Sequence, residues 1–227
     1  MPVATINWIE PDNIDHRLRA LGFPREVLEA AIHVWMAARN SGTPFHASNY
    51  EGTVAFHEGI ATLRQEGHQH GLVKDVQNGV ELCLCPSTGV AVMLALGGRW
   101  TGDADNLERK PTTKYKRGPG SQELLTKQLT MFPVVNGQVK KNDYSVWIFM
   151  LRMSGNGTVA AELSLPAVVA NATSRKTGKQ KKTGVITDWY ERVFLGTFSA
   201  GPRDKRSQVE DDLVPTAEID VPVRPRR

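Results

Sequence analysis

Ten cations fall in two acid-free runs, and they are the residues of this chain with the plainest chemical use. The stretch RKPTTKYKRGPGSQE sets Arg109, Lys110, Lys114, Lys116 and Arg117 ahead of Gly118 and Gly120 and a segment able to open a helix. Arg175, Lys176, Lys179, Lys181 and Lys182 form the second run. A helix start carries unpaired N–H groups and partial positive charge, and preceding glycines let an anion come close. The order is not that of a P-loop, where the lysine follows the glycines and a Ser or Thr follows the lysine. Here the next lysine is Lys127, and Pro119 removes a backbone donor. A mononucleotide cradle is therefore not expected. Contact with the phosphates of a polymer, which needs charge rather than a fixed cage, is. Tyr115, between Lys114 and Lys116, would stack on an exposed base as aromatic side chains do in single-strand binding.

His68 and His70, then Cys83 and Cys85, offer four nitrogen or sulfur ligands for zinc. Structural zinc sites usually space each pair two to four residues apart, and both pairs here are separated by one residue. The expectation is no cofactor, with zinc or another divalent metal at these four residues as the alternative. Cys83 and Cys85 then fill the buried face of a strand as small apolar groups, and His68 and His70 ride a solvated turn. One intervening residue also makes a Cys83–Cys85 disulfide geometrically poor, so both thiols are expected reduced.

Among the carboxylates, Asp75, Glu81, Asp143 and Glu162 lie on or beside strand-like segments, where a metal-dependent nuclease would gather acids. No lysine stands two residues after Glu162, so the Asp…Glu-x-Lys pattern is missing, and strand alternation is expected to turn Glu162 to solvent. Gly-x-Ser-x-Gly, His-Glu-x-x-His and the Rossmann glycine fingerprint are absent from the sequence; His57-Glu58 is followed by Ala61 where the second zincin histidine would stand.

Arg39 and His46 have six residues between them. This resembles the Arg-to-His spacing of the HEPN ribonucleases, and the resemblance implies an arginine and a histidine acting together on an RNA phosphate and 2′-hydroxyl. It covers these two residues alone, and the strand-rich second half departs from the all-helical fold it implies. An enzyme reading, a nuclease or other phosphodiesterase, would place its site near His46, His57, Arg64 and Glu58. Against it, Arg39 suits the end of a helix, where a cation meets the dipole.

The elements that must position these residues divide into a helical third and a strand-rich remainder. Val27, Leu28, Ala31, Ile32, Trp35 and Ala38 recur at helical spacing from Pro24 to the breaker Ser41-Gly-Thr-Pro44. A second helix is expected over about 53–66, capped by Thr53. Gly79 to Cys85 and Gly89 to Leu96 read as a hairpin whose apolar second arm is central or covered on both sides. A long segment without periodicity, Gly97 to Gly120, is either functional or disordered. Ser121 to Thr130 predicts a short helix. Tyr144 to Met153 and Thr158 to Leu165 predict a second hairpin around Ser154-Gly-Asn-Gly157, ended by Pro166. The basic run 175–182 reads as a loop leading to a last strand over 184–198.

With 227 residues, 40% hydrophobic and 23% charged content, the composition is that of an ordinary globular protein. The N-terminus lacks a secretory pattern and no apolar run is long enough to cross a bilayer, so a cytoplasmic protein without a membrane partner is expected. The fold class expected is α+β: residues 1–200 as one domain, with a helical part (1–70) packed on a mainly antiparallel sheet (71–200), and an extended or disordered tail (201–227) able to meet a protein partner. The function expected is nucleic-acid binding, DNA and RNA not distinguished, through both basic runs and without catalysis; the alternatives are the phosphodiesterase above and an interaction subunit of a larger complex.

Overall fold

The computed structural model describes residues 4–115, 118–131, 144–154, 157–173 and 180–199, with the backbone alone at 126–131, 168–173, 180–185 and 187. Strand β1 (Ile6–Trp8) precedes three helices, α1 (Pro11–Leu21), α2 (Arg25–Asn40) and α3 (Tyr50–His68). Strands β2 (Val73–Gln77), β3 (Val80–Cys85) and β4 (Val90–Leu96) follow, then α4 (Pro119–Met131) and the long strands β5 (Ser145–Met153), β6 (Thr158–Thr173) and β7 (Gln180–Ser199). The seven strands form one sheet in the order β1-β7-β6-β5-β4-β3-β2. Antiparallel pairing dominates, with β4 parallel to β5 and β1 parallel to β7. The α+β class is thus observed.

The helices form where apolar residues recur on one stripe. In α1 the stripe is Ile14, Leu18 and Leu21; Pro11 starts the helix, and Gly22, in the left-handed region at φ 80°, ends it by donating to Leu18 and Arg19 carbonyls. In α2 the stripe is Val27, Leu28, Ala31, Ile32, Trp35 and Met36. Helix α3 presents Ala55, Gly59, Ile60 and Leu63, and a Cβ on Gly59 would lie 3.1 Å from both Trp35 and Leu94 side chains. That glycine lets α3 settle against both α2 and β4. Together α1 to α3 cover one sheet face, built from Cys83, Cys85, Val92, Leu94, Trp147, Phe149, Leu151, Leu163 and Val193. The opposite face, with Leu82, Met93, Ile148, Met150 and Trp189, receives Leu124 and Leu125 of α4. Among the described residues, no helix is long and apolar enough to cross a membrane.

Four local expectations are corrected. Thr53 does not cap α3; the helix starts at Tyr50, and the Thr53 hydroxyl donates to the Asn49 carbonyl within the first turn (2.9 Å). Pro166 does not end β6, which runs on to Thr173 because the register shifts on either side of the proline absorb its missing donor. Residues 180–182 of the second basic run are already strand β7. Glu162 does not face solvent: it is fully buried against Arg192, 2.7 Å away. Its burial requires the cation that alternation along β6 alone does not reveal.

Candidate nucleic-acid interface

The segment after β4 is an ordered Ω-shaped excursion with a closed neck. Gly97 pairs with Thr113; the Gly98 N–H donates to the Thr112 carbonyl (2.6 Å) and the Lys114 N–H to the Leu96 carbonyl (2.8 Å). Between these neck residues the chain crosses the sheet face opposite α1 to α3, and side chains of the long strands anchor it. Arg192 donates to the Trp100 carbonyl (3.3 Å), Arg152 to the Thr101 carbonyl (3.1 Å) and the Trp189 indole to the Pro111 carbonyl (2.8 Å). The Glu162 carboxylate accepts from the Gly102 N–H (2.8 Å), from the Ser164 hydroxyl (2.9 Å) and from Arg192. Gly102 has φ 68°, and a Cβ there would lie 2.8 Å from the Ala160 Cβ, so the backbone comes this close because no side chain intervenes.

The neck delivers Lys114 and Tyr115 to the carboxyl ends of the parallel strands β4 and β5. Two adjoining hollows open there, of about 540 and 340 Å³, and both have Trp35, Arg39, Leu96 and Lys114 in their walls. The larger extends along the first turn of α3 to Phe56, Tyr115 and Ser121. The smaller extends to Arg99, Arg152 and Met153. In open α/β sheets, ligands commonly sit outside the carboxyl ends of parallel strands, as this groove does.

Four cations line the groove, Arg39, Arg99, Lys114 and Arg152, and Glu51 is the one acid among its described walls. Arg39 is held in place: its guanidinium lies 5.5 Å from the Trp35 ring centroid, and its Nε reaches the Met153 sulfur at 3.3 Å. Arg99 and Arg109 both lie against the Trp100 indole, at 4.7 and 4.5 Å. Tyr115 is 60% exposed, with the Lys114 ammonium 5.6 Å from its ring centroid. The N-terminus of α3, at the groove wall, adds the partial positive charge of its unpaired N–H groups.

Of the cations expected from the two basic runs, Lys114 reaches the groove, with Tyr115 beside it. Arg109 packs on Trp100, and Lys110 is engaged in an ion pair with Asp188. Lys116, Arg117, Arg175, Lys176 and Lys179 lie outside the described residues, as do the side chains of Lys181 and Lys182. Arg99 and Arg152 each stand apart from the charge runs; the available signal is that Arg99 follows closely on the apolar strand β4 and Arg152 lies near the end of the apolar strand β5, at the sheet end where loops gather.

The enzyme candidates are dispersed. Arg64 is spent inside the fold on the Leu82 and Asp75 carbonyls and on Glu81 (2.7 Å). His57 and Glu58 are exposed on α3. His46 stacks on Tyr50, with ring centroids 3.8 Å apart, and its Nδ1 accepts from the Thr43 N–H. Arg39 lines the groove, whereas His46 is not among its walls. Cys83 and Cys85 are buried free thiols, as expected, while His68 and His70 are exposed at the end of α3. Burial pushes the Cys83 thiol up to about 12, against a smaller opposing effect of Arg64. At Cys85 burial also acts upward, but hydrogen bonds with Ser87 and Thr88 together outweigh it and bring the pKa below the ordinary thiol value. Among the described residues, no group of three or more His, Cys, Asp or Glu side chains is placed to hold a metal ion. Comparison of the chain with family models, with curated proteins and with solved structures finds no match, so the functional reading rests on the groove itself.

Proposed function

We propose that this chain binds nucleic acid, with the groove at the carboxyl ends of β4 and β5 contacting the phosphate backbone. The observation carrying the reading is the imbalance of charge in a concave site: Arg39, Arg99, Lys114 and Arg152 against Glu51 alone. Cations with parallel-strand ends beneath them and a helix N-terminus beside them suit a polyanion, because each phosphate neutralised releases condensed counterions. The role expected of the 109–117 run is thus narrowed to Lys114 and Tyr115 within the described residues, and the groove adds Arg39, Arg99 and Arg152.

The test separates the groove from charge in general. Lys114→Glu and Arg99→Glu should each weaken binding of a labelled oligonucleotide in fluorescence anisotropy by about tenfold, since one contact is lost and a repulsion gained. Lys74→Glu makes the same change of net charge at an exposed position on β2, outside the groove walls, and should leave binding near wild type. Equal losses in all three variants would mean that binding follows net charge and not this groove.

A further inference from the structure

We infer that the groove selects single-stranded nucleic acid over a duplex, with Tyr115 as the platform for an unstacked base; this rests on the nucleic-acid reading just given. The first ground is the recession of one cation, Arg39, behind the exposed Arg99 and Lys114. Arg39 is half-buried, set between α2 and the ends of β4 and β5, and its guanidinium is held by Trp35 and Met153. The first turn of α3 forms one wall, and Tyr115, Gly118 and Ser121 also line the larger hollow. A duplex is a stiff rod whose bases are stacked inside, and proteins read it by inserting a helix or a β-ribbon into its groove. A half-buried cation in the wall of a cleft is better reached by a flexible strand, whose phosphates and bases can enter separately.

Size gives the second ground. Hollows of about 540 and 340 Å³ are of the scale that encloses single small ligands. Successive nucleotides of one strand fit that scale; the cross-section of a duplex does not. The third ground is chemical. Tyr115 combines 60% exposure with a place in the wall beside Lys114, so an aromatic face and a cation stand one residue apart on the same rim. Single-strand sites combine these two elements: a basic groove that tracks the backbone and an aromatic face that accepts any base.

The experiment compares a labelled single-stranded oligonucleotide with the blunt duplex of the same sequence, for wild type, Tyr115→Ala, Tyr115→Phe and Lys114→Gln, each over a salt series. Thermal melts of the variants exclude misfolding as a cause of lost binding. The single strand should bind at least tenfold more tightly than the duplex. Tyr115→Ala should lose about tenfold for the single strand, with the slope of log affinity against log salt unchanged and Tyr115→Phe close to wild type. Lys114→Gln should instead flatten that slope by about 0.7, the value for one phosphate contact on a single strand. A duplex bound as tightly as the strand, or a Tyr115→Ala variant with wild-type affinity, overturns the inference. If Lys114→Gln still flattens the slope in that case, the nucleic-acid reading survives alone; if neither form binds, both fall.

Discussion

Among the described residues, Cys83 gives the clearest titration consequence. Its thiol is raised from the ordinary 9.0 to about 12 because burial disfavours the thiolate. The unfolded chain therefore releases the proton first, so the stabilising contribution is complete below about pH 9 and is lost as pH climbs toward 12. The slope is about 1 kcal/mol per pH unit for one group. In a Cys85→Ser background, which removes the oppositely shifted neighbour, urea midpoints should fall more steeply from pH 9 to about 10 with Cys83 present than with Cys83→Val. Parallel pH profiles would mean that the Cys83 thiol ionises as readily in the native state as in the unfolded one. The pairing of these cysteines on one strand face was readable from their spacing, because alternation is a local rule. The difference between their environments was not, since it comes from the burial of Cys83 beneath α3 and from the hydrogen bonds that the turn residues Ser87 and Thr88 give Cys85. The same limit hid Arg99 and Arg152: density of charge along a chain is visible, whereas convergence in space is not.

At the scale of elements, the 97–115 excursion is held by the buried Glu162–Arg192 pair, which secures Gly102 and Trp100 in the same network. Removing one member leaves an uncompensated charge in the core, which typically costs about 3–5 kcal/mol. Glu162→Leu should lower unfolding stability by about that amount in urea titrations. Hydrogen exchange at the Gly102 amide should accelerate as well, because its acceptor is gone. The double variant Glu162→Leu/Arg192→Met should recover a large part of the stability without restoring the Gly102 protection. Unchanged exchange at Gly102 in both variants would mean that the loop is held by its neck and the other anchors alone. Strong periodicity made α2, the β3–β4 hairpin and the β5–β6 hairpin legible in the sequence. Helix α1 is faint in the sequence because its stripe is only Ile14, Leu18 and Leu21 among charged neighbours; β1 and β2 are short edge strands with little apolar pattern. The excursion itself has no periodicity because its order comes from strand residues such as Arg152, Trp189 and Arg192, which follow it by dozens of positions in the chain.

Across the whole molecule, the α+β architecture places helices α1 to α3 on one sheet face and α4 with the 97–115 excursion on the other. The groove lies where these layers meet at the ends of β4 and β5. A net charge of +4 over 227 residues is mild, and it gains force only where cations gather without acids. The groove comes close to that, with Glu51 alone against four cations drawn from four separate segments of chain. Contact of those cations with phosphates must appear in the salt dependence of binding. Affinity for a single-stranded oligonucleotide should fall steeply and linearly in log–log form as salt rises, and the double variant Arg99→Gln/Lys114→Gln should be flatter by about 1.4, two contacts' worth of released counterions. A double variant with the wild-type slope, or wild-type binding indifferent to salt, would contradict it.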